Sequence, residues 1–531
     1  MSMGSKPEKR LEQHFGDRIF HCYAERPGSV YQMLQSAAEQ YPDSEALVCG
    51  DTRLSYRELQ ERVGCIAGGL AQKGVGAGDR VALLLGNGVE FVEASFAIAQ
   101  LGAIIVPVST RDQRPGIAHI LNDCGAALLI YDAAMAERLP DAAEVPALRE
   151  RIAVGAASGP TSFSTLLQAE PERQVAAVFE EETAAILYTS GTTGKPKGAM
   201  LTHMNIVHSA MHYQFALGLG AGDRFVVPVP LSHVTGLVAL MATAIRCAAT
   251  LIVMPTFKAA DFLDLAARER MTYTLMVPAM YNLCLVQTDC TQYDLSAWRI
   301  GAFGGAIMPQ ATIERVAELL PRLTLVNVYG ASETASPATI MPLDAGRRHL
   351  DSVGKAVDCG EVVIMDAQGR QLPPGSAGEL WIRGPMVVKG YWNNAQATRE
   401  AFISGFWCSG DIGSVDADGF VSVFDRMKDM INRGGFKIYS SEVENVLLQF
   451  PGVFECAVVG KPCPVLGERV HAVVVVRGED VSAEALKAYC AARLTDYQVP
   501  ESFTLTAEPL PRNANGKVMK RDLRVPAMTS P

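Results

Sequence analysis

The sequence predicts an α/β protein: a large N-terminal domain of doubly wound sheets with a small β-rich subdomain, then a small α+β C-terminal domain. Three observations predict it. Short apolar runs rich in Val, Ile and Leu alternate with amphipathic helical patterns through the first two thirds of the chain, as parallel strands covered by helices require. From about Val362 the pattern changes to short strands and turns, as in GELWIRG at Gly378–Gly384. A charged segment, Asp425–Arg433, then precedes a unit of roughly 100 residues, an ordinary domain size. The expected boundary places residues 1–425 in the first domain and 426–531 in the second, near Lys428.

In chain order, residues 1–28 read as a polar arm. Ser29 caps a helix with Val30, Met33, Leu34, Ala37 and Ala38 on one face, stopped at Pro42. Glu45–Val48 reads as a strand. Ser55 and Glu58 form a capping box ahead of Leu59, Val63, Ile66, Ala67 and Leu70, and Gly74 ends that helix. Val81–Leu85 and Ile104–Val108 are apolar strands around a helix at Val89–Leu101. Ala184–Leu187 is a strand, and His203–Phe215 a helix. Arg224–Val229 and Thr250–Met254 are strands around a helical Leu237–Ile245, and Arg299–Phe303 and Thr324–Val328 follow as strands. In the last unit, Ser441–Phe450 and Ala483–Arg493 are helical, and Glu455–Val459 and His471–Val476 are strands.

Composition narrows the function classes. A net charge of −10 argues against nucleic acid as a partner. The stretches free of Asp, Glu, Lys and Arg, Gly198–Gly222 and Phe225–Ile245, carry too many His, Asn, Ser and Pro for a membrane span. The N-terminus leads into no apolar signal segment. The 12 Cys form no CxxC pair and have no His at finger spacing, which fits free thiols in a reducing cytoplasm.

The chemistry centres on Tyr188–Gly198, YTSGTTGKPKG. Glycine lets the backbone approach an anion, exposed N–H groups make a nest, and the hydroxyls of Thr189, Ser190, Thr192 and Thr193 with Lys195 and Lys197 add donors. Gly191 and Gly194 supply the turns. Pro196 stands where a Walker loop needs glycine, and no Ser or Thr follows either lysine, so this phosphate loop is of another type.

This loop resembles the signature of the adenylate-forming superfamily: acyl-CoA synthetases, amino-acid adenylation domains and luciferases. Further stretches match in the same order: PLSHVTGL (Pro230–Leu237), NVYGASET (Asn327–Thr334), GELWIRGPMVVKGYW (Gly378–Trp392), FWCSGD (Phe406–Asp411), DRMKDMINRGGFKIYSSEVE (Asp425–Glu444), LTDYQVPESF (Leu494–Phe503) and PRNANGKVMKRDL (Pro511–Leu523). The resemblance runs from about residue 30 to 523 and is closest to AMP-forming ligases of fatty or aryl acids.

The resemblance implies ATP, Mg²⁺ and CoA as cosubstrates and cofactors. It also implies roles for residues at the matching positions. The nucleotide is held by Thr189, Ser190, Gly191, Thr192, Thr193, Gly194 and Lys197 at the phosphates. Tyr329 is the adenine platform with Asn327, Val328 and the Gly305-Ala306 turn around it, Gly330 belongs to the same nucleotide site, Asp411 and Arg426 hold the ribose, the Ser332 hydroxyl meets the α-phosphate, and Lys437 contacts the adenylate. Ser332 keeps the hydroxyl where Thr is commoner. By the same resemblance, Glu333 is the magnesium ligand. Lys517 is the catalytic lysine, stabilising charge as a carboxylate attacks the α-phosphorus. Lys428 is the hinge on which the mobile C-terminal domain swings, and Gly434 and Gly435 line the pantetheine path.

His233 matches the residue gating acid entry against the thiol path. With Val234, Gly236, Gly304 and Ala331 it makes an apolar acid pocket. Amino-acid adenylation domains usually place Asp at the Val234 position, so an amino acid is disfavoured. A dicarboxylate such as malonate would need a cation, and Arg299 is the nearest in sequence. The expected reaction converts a fatty or aryl acid to acyl-AMP and then to acyl-CoA. A fatty-acyl-AMP ligase loading a carrier protein and a malonyl-CoA-synthetase-like ligase are the alternatives within the superfamily. A non-catalytic nucleotide-binding regulator would be expected to lack Lys517 or Glu333. A second copy of the chain, as a homodimer, stays open.

Overall fold

Strands apolar on both faces need cover on both sides, and that requirement shapes the first part of the chain. The computed structural model describes residues 7–155, 161–189, 196–306, 308–345, 348–477, 481–512 and 518–524. The chain divides into two compact units: Met1–Met308, Glu314–Val362 and Ile382–Cys408 in the first; Pro309–Ile313, Val363–Trp381 and Ser409–Pro531 in the second.

Two large sheets organise the first unit. In the six-stranded one the order is Lys197–Thr202, Thr183–Thr189, Ile104–Pro107, Arg80–Leu84, Leu128–Asp132 and Glu150–Val154. All neighbours are parallel except the first pair, which places Thr189 opposite Lys197. The phosphate loop therefore lies between two paired strands at the sheet edge, and its residues 190–195 lie outside the described residues.

The nine-stranded sheet has the order Lys355–Ala356, Ser336–Ile340, Thr324–Ala331, Ile300–Gly304, Tyr273–Met276, Arg224–Val227, Thr250–Val253, Glu45–Cys49 and Thr52–Ser55. Its six inner strands are parallel, from Thr324–Ala331 to Glu45–Cys49. The helices Val30–Gln40, Tyr56–Gln72, Val89–Gln100 and His203–Leu217 form where the apolar periodicity places them. Ser29, Ser55 and Thr202 each cap the helix that follows, as their side chains accept from the backbone N–H three residues on.

Two elements differ from the expectation. Residues 9–23, expected as part of a polar arm, form the hairpin Lys9–His14 and Arg18–Tyr23. Its buried side, with Phe20, Cys22 and Tyr23, packs inward, and Arg26 pairs with Glu12 and Glu180. The helix expected at Leu237–Ile245 begins earlier and is π-helical over Thr235–Ala242, continuing as a short α-helix at Thr243–Arg246. The Thr243 hydroxyl donates to the Val238 carbonyl at 2.9 Å, five residues back, which suits the wider turn.

In the second unit, Gly467–Val476 is the central strand of the C-terminal sheet. Val453–Cys463 lies antiparallel to it and Ser502–Thr506 parallel. The helices Ser440–Leu447 and Ala483–Ala491 bury Val443, Leu447, Leu486 and Cys490 against Val458, Val470 and Val474. No helix among the described residues is long and apolar enough to cross a membrane. All twelve cysteines are free thiols.

Candidate active site

The parallel strands of the larger sheet bring three of the marked stretches to one end. Arg224–Val227 runs into Pro230–Val234, Ile300–Gly304 into Gly305 and Ala306, and Thr324–Ala331 into the turn Ser332–Thr334. Ligands of open α/β sheets bind beyond such carboxyl ends. Along Thr324–Ala331, Val326 and Val328 are buried, while Asn327 and Tyr329 on the other face are half-buried. Asn327 is fixed by donating from Nδ2 to the Ser352 carbonyl at 3.0 Å.

The turn after Tyr329 is tightly built. A Cβ on Gly330 would stand 1.5 Å from the Ser336 carbonyl oxygen, so only glycine fits. The Ala331 N–H donates to Thr334 Oγ1 at 2.9 Å, and that hydroxyl donates to the Ser336 carbonyl at 2.9 Å. Ala335 holds a left-handed φ of 46°. This turn half-exposes Ala331 and Ser332 and buries Glu333. Gly304 is required by strand spacing, because a Cβ there would meet the Val328 carbonyl at 2.3 Å. Gly305 has a φ of 77° and, with Ala306, is exposed.

Glu333 is only 9% exposed. Its Oε1 accepts a hydrogen bond from the Tyr391 hydroxyl at 2.9 Å, and its carbonyl accepts from the Val388 N–H at 2.9 Å. Burial, then the Glu333 charge, raises the Tyr391 pKa, so the phenol stays a donor. Lys197 Nζ lies 5.3 Å from the Tyr391 ring centroid. No partner of Glu333 Oε2 is found among the described residues. A buried carboxylate with one neutral donor fits a cation, and Mg²⁺ takes few carboxylates with phosphate and water oxygens. Tyr391 was not assigned a role from sequence, although it lies within the GYW of a matched stretch.

The hairpin carrying Thr189 and Lys197 is braced by the same segment. Trp392 N–H donates to the Gly198 carbonyl at 2.7 Å, and Met200 N–H to the Gly390 carbonyl at 3.0 Å. Tyr188 donates to Asp123 Oδ2 at 2.6 Å. Asn205 donates to the carbonyls of Pro385 and Val387, at 2.7 and 3.1 Å, which ties the helix after the loop to this segment.

At the acid-pocket stretch, Asn87 pins the chain. Its Nδ2 donates to the Val229 and Met254 carbonyls at 2.9 and 3.0 Å, and its Oδ1 accepts from Leu231 N–H at 2.8 Å. His233 is half-buried and Val234 buried. His233 Nδ1 lies 3.2 Å from Thr235 Oγ1 and 3.4 Å from the Thr235 backbone nitrogen. Burial lowers its pKa, so the imidazole is neutral at pH 7. Gly236 allows the helix start to sit on the turn, since a Cβ would lie 2.2 Å from the Pro230 carbonyl. Arg299 is at the other end of its strand. It forms a two-point pair with Asp223 at 3.0 and 2.8 Å and donates to the Leu217 and Gly218 carbonyls. It is not a pocket cation.

In the second unit, Asp411 and Arg426 face each other across antiparallel strands, with Nε to Oδ1 at 3.1 Å. Asp411 is buried. Its N–H donates to Ser409 Oγ at 3.0 Å, and Gly410 N–H donates to Glu379 Oε1 at 3.0 Å. Lys428 is exposed, and its carbonyl accepts from Arg524 Nη2 at 2.6 Å. Gly434 and Gly435, with φ of 60° and 93°, are the two-residue turn between Ile431–Arg433 and Phe436–Ile438, a conformation that itself demands glycine. Lys437 pairs with Asn432 in that hairpin and is exposed. Lys517 lies outside the described residues, as do Ser190, Gly191, Thr192, Thr193 and Gly194.

Residues 34–392 match the family model for AMP-binding enzymes, and 442–517 that for the AMP-binding enzyme C-terminal domain. A feruloyl-CoA synthase of Amycolatopsis is 35% identical over 488 residues, covering 92% of this chain and 96% of its own. A long-chain-fatty-acid–CoA ligase of Mycobacterium tuberculosis is 34% identical over 504 residues, covering 93% and 97%. The solved structure of o-succinylbenzoate CoA synthetase from Bacillus subtilis with its acyl-adenylate intermediate has a TM-score of 0.84 at 30% identity, covering 93% of this chain and 98% of that one. The same enzyme with ATP and magnesium ion has a TM-score of 0.82, at 30% identity, covering 92% and 98%.

Proposed function

The chain belongs to the AMP-binding enzyme family, and from that premise we propose how its residues carry an AMP-forming acyl-CoA ligation. The enzyme uses ATP to activate a fatty or aryl carboxylic acid as acyl-AMP, releasing pyrophosphate, and then transfers the acyl group to CoA, releasing AMP. The observation that carries the reading is the buried Glu333 beside Tyr391, on a turn that tolerates only glycine at Gly330.

The phosphate loop from Thr189 to Lys197 holds the β- and γ-phosphates. Tyr329 and Gly305 face adenine, and Asp411 with Arg426 takes the ribose hydroxyls, for which a carboxylate offers two acceptors. Ser332 holds the α-phosphate. Mg²⁺ at Glu333 would offset the charge of the phosphate oxygens. Lys517 stabilises the charge on the α-phosphate as the acid attacks, and Lys437 touches the adenylate. His233, kept neutral by burial, separates acid entry from the thiol path. The functional division at 425/426, with the hinge at Lys428, lets the C-terminal part bring Lys517 for the first half-reaction and Gly434 and Gly435 for the second.

The acid pocket is apolar at Val234, and Arg299 is committed to Asp223. That favours a fatty or aryl acid over a dicarboxylate. CoA is the acceptor, and the reaction belongs in a reducing cytoplasm. The test is pyrophosphate release with fatty, aryl and dicarboxylic acids, each with and without CoA. Acid-dependent release that yields acyl-CoA supports the reading. Release that never yields a thioester with CoA would move the acceptor to a carrier protein.

A further inference from the structure

A cavity lies at the end of the larger sheet opposite the acid-pocket turn. It has a volume of about 170 Å³ and is lined by Ser36 and Gln40 of one helix, Gln214 of another, and Arg246, Cys247 and Ala248 at the end of a third. We propose that this cavity binds a small oxyanion through the Arg246 guanidinium, and that its occupancy is felt in the acid pocket.

Arg246 is half-buried, and its Nε is buried without a hydrogen-bond partner. Among the described residues it has no ion pair. Burial pulls its pKa down, and no carboxylate opposes that. Arg18 is pulled down in the same way, yet donates both Nη groups to the Val388 and Lys389 carbonyls, each at 2.9 Å. Asp223, which shares the Cys247 neighbourhood with Arg246, is occupied by Arg299, Thr272 and the Gly220 N–H. A guanidinium cannot shed its proton at working pH, so a buried Nε without an acceptor calls for one, and the charge favours an anion.

The same cavity holds an unpaired acceptor, Gln214 Oε1, also buried. A ligand carrying oxygen acceptors and one hydroxyl, such as hydrogen phosphate or a short hydroxycarboxylate, satisfies both groups. The volume corresponds to roughly five or six waters. That admits such an anion and is too small to enclose ATP or CoA. The exposed Gln40 and Tyr41 at the lining give it an entry from solvent.

The position supplies the coupling. Arg246 ends the helical run that starts at Thr235, two residues past His233, and most of that run is π-helical. A ligand holding Arg246 biases the far end of the same rod. This second half rests on the acyl-ligase reading; occupancy does not.

The experiment uses the full chain saturated with α,β-methylene ATP, so that the nucleotide site is filled through the γ-phosphate. Sodium phosphate and sodium lactate are titrated against sodium chloride of equal ionic strength, with the thermal midpoint and calorimetric heat as readouts. A saturable response, weakened roughly tenfold to a hundredfold in Arg246→Gln, supports the site, as loss of a charge-assisted hydrogen bond predicts. A response to phosphate alone assigns a phosphoryl ligand, to lactate alone a carboxylate, and to both a general oxyanion site. No response beyond chloride, or an equal response in Arg246→Gln, overturns the proposal and leaves the cavity to water. Should that variant not fold, Ser36→Leu fills the cavity with Arg246 in place and is expected to abolish the response; an unchanged response overturns it. The KM for the acid is expected to move with the anion in the wild type and not in Arg246→Gln. An unmoved KM would overturn the coupling while the acyl-CoA product still forms.

Discussion

Removing one oxygen at Tyr391 probes Glu333, the proposed magnesium ligand, without touching it. Tyr391→Phe keeps the ring and its contact with Lys197 but deletes the 2.9 Å hydrogen bond to Glu333 Oε1. A hydrogen bond to a charged group contributes about 1.5–3 kcal/mol. Converted at about 1.4 kcal/mol per tenfold, that is a roughly tenfold to hundredfold loss. The loss is expected in the half-saturating Mg²⁺ concentration for pyrophosphate release. The phenol stays a donor at neutral pH, because burial and the Glu333 charge raise its pKa. An unchanged Mg²⁺ dependence, or an equal loss in thioester formation from supplied acyl-AMP, would refute the reasoning.

Lys517→Ala is expected to lose adenylation by about 10²–10³ while sparing thioester formation from preformed acyl-AMP, and single-turnover assays of the two halves check this. Asp411→Asn leaves Arg426 facing a neutral amide and halves the acceptors for a ribose diol, so ATP affinity should fall while a triphosphate lacking the sugar loses little. Gly330→Ala should break the turn, because its methyl would stand 1.5 Å from the Ser336 carbonyl, whereas Gly410→Ala meets no atom within 4 Å and carries only the strain of φ 69°; relative solubility and melting temperature separate the two. Stability should decline as pH falls below 6.5, because His212, at about 3, and His203 and His471, at about 4, stay neutral in the fold while the unfolded chain takes up their protons. Each contributes a slope approaching about 1.4 kcal/mol per pH unit between those values, so His212→Phe should flatten the urea midpoint against pH.

Much of the fold was legible in the chain. The strands around Val81–Leu85, Arg224–Val229 and Thr324–Val328 are apolar enough to be read without partners, and Ser55 with Glu58 announces its helix by local hydrogen bonding alone. The N-terminal hairpin was hidden because its first strand is almost wholly polar, Leu11 aside. The case for burial comes from distant partners, Glu180 for Arg26 and His208 stacked on Tyr23. The π-helical turn at Thr235–Ala242 leaves no mark in apolar periodicity, since the run is apolar on every side. Tyr391 was overlooked for a related reason: an aromatic beside Trp392 reads as packing until Glu333 is placed under its hydroxyl. Arg299 and Arg246 look alike in sequence, and only the position of Asp223 separates the satisfied cation from the unsatisfied one.

The central claim, that the acid attacks the α-phosphorus of ATP, is tested most directly by isotope transfer. A fatty or aryl acid labelled with ¹⁸O in its carboxylate is turned over with ATP, Mg²⁺ and CoA, and the products are weighed by mass spectrometry. The account predicts one labelled oxygen in the AMP phosphate, with acyl-CoA formed and pyrophosphate unlabelled. Label in inorganic phosphate, with ADP in place of AMP, would contradict it.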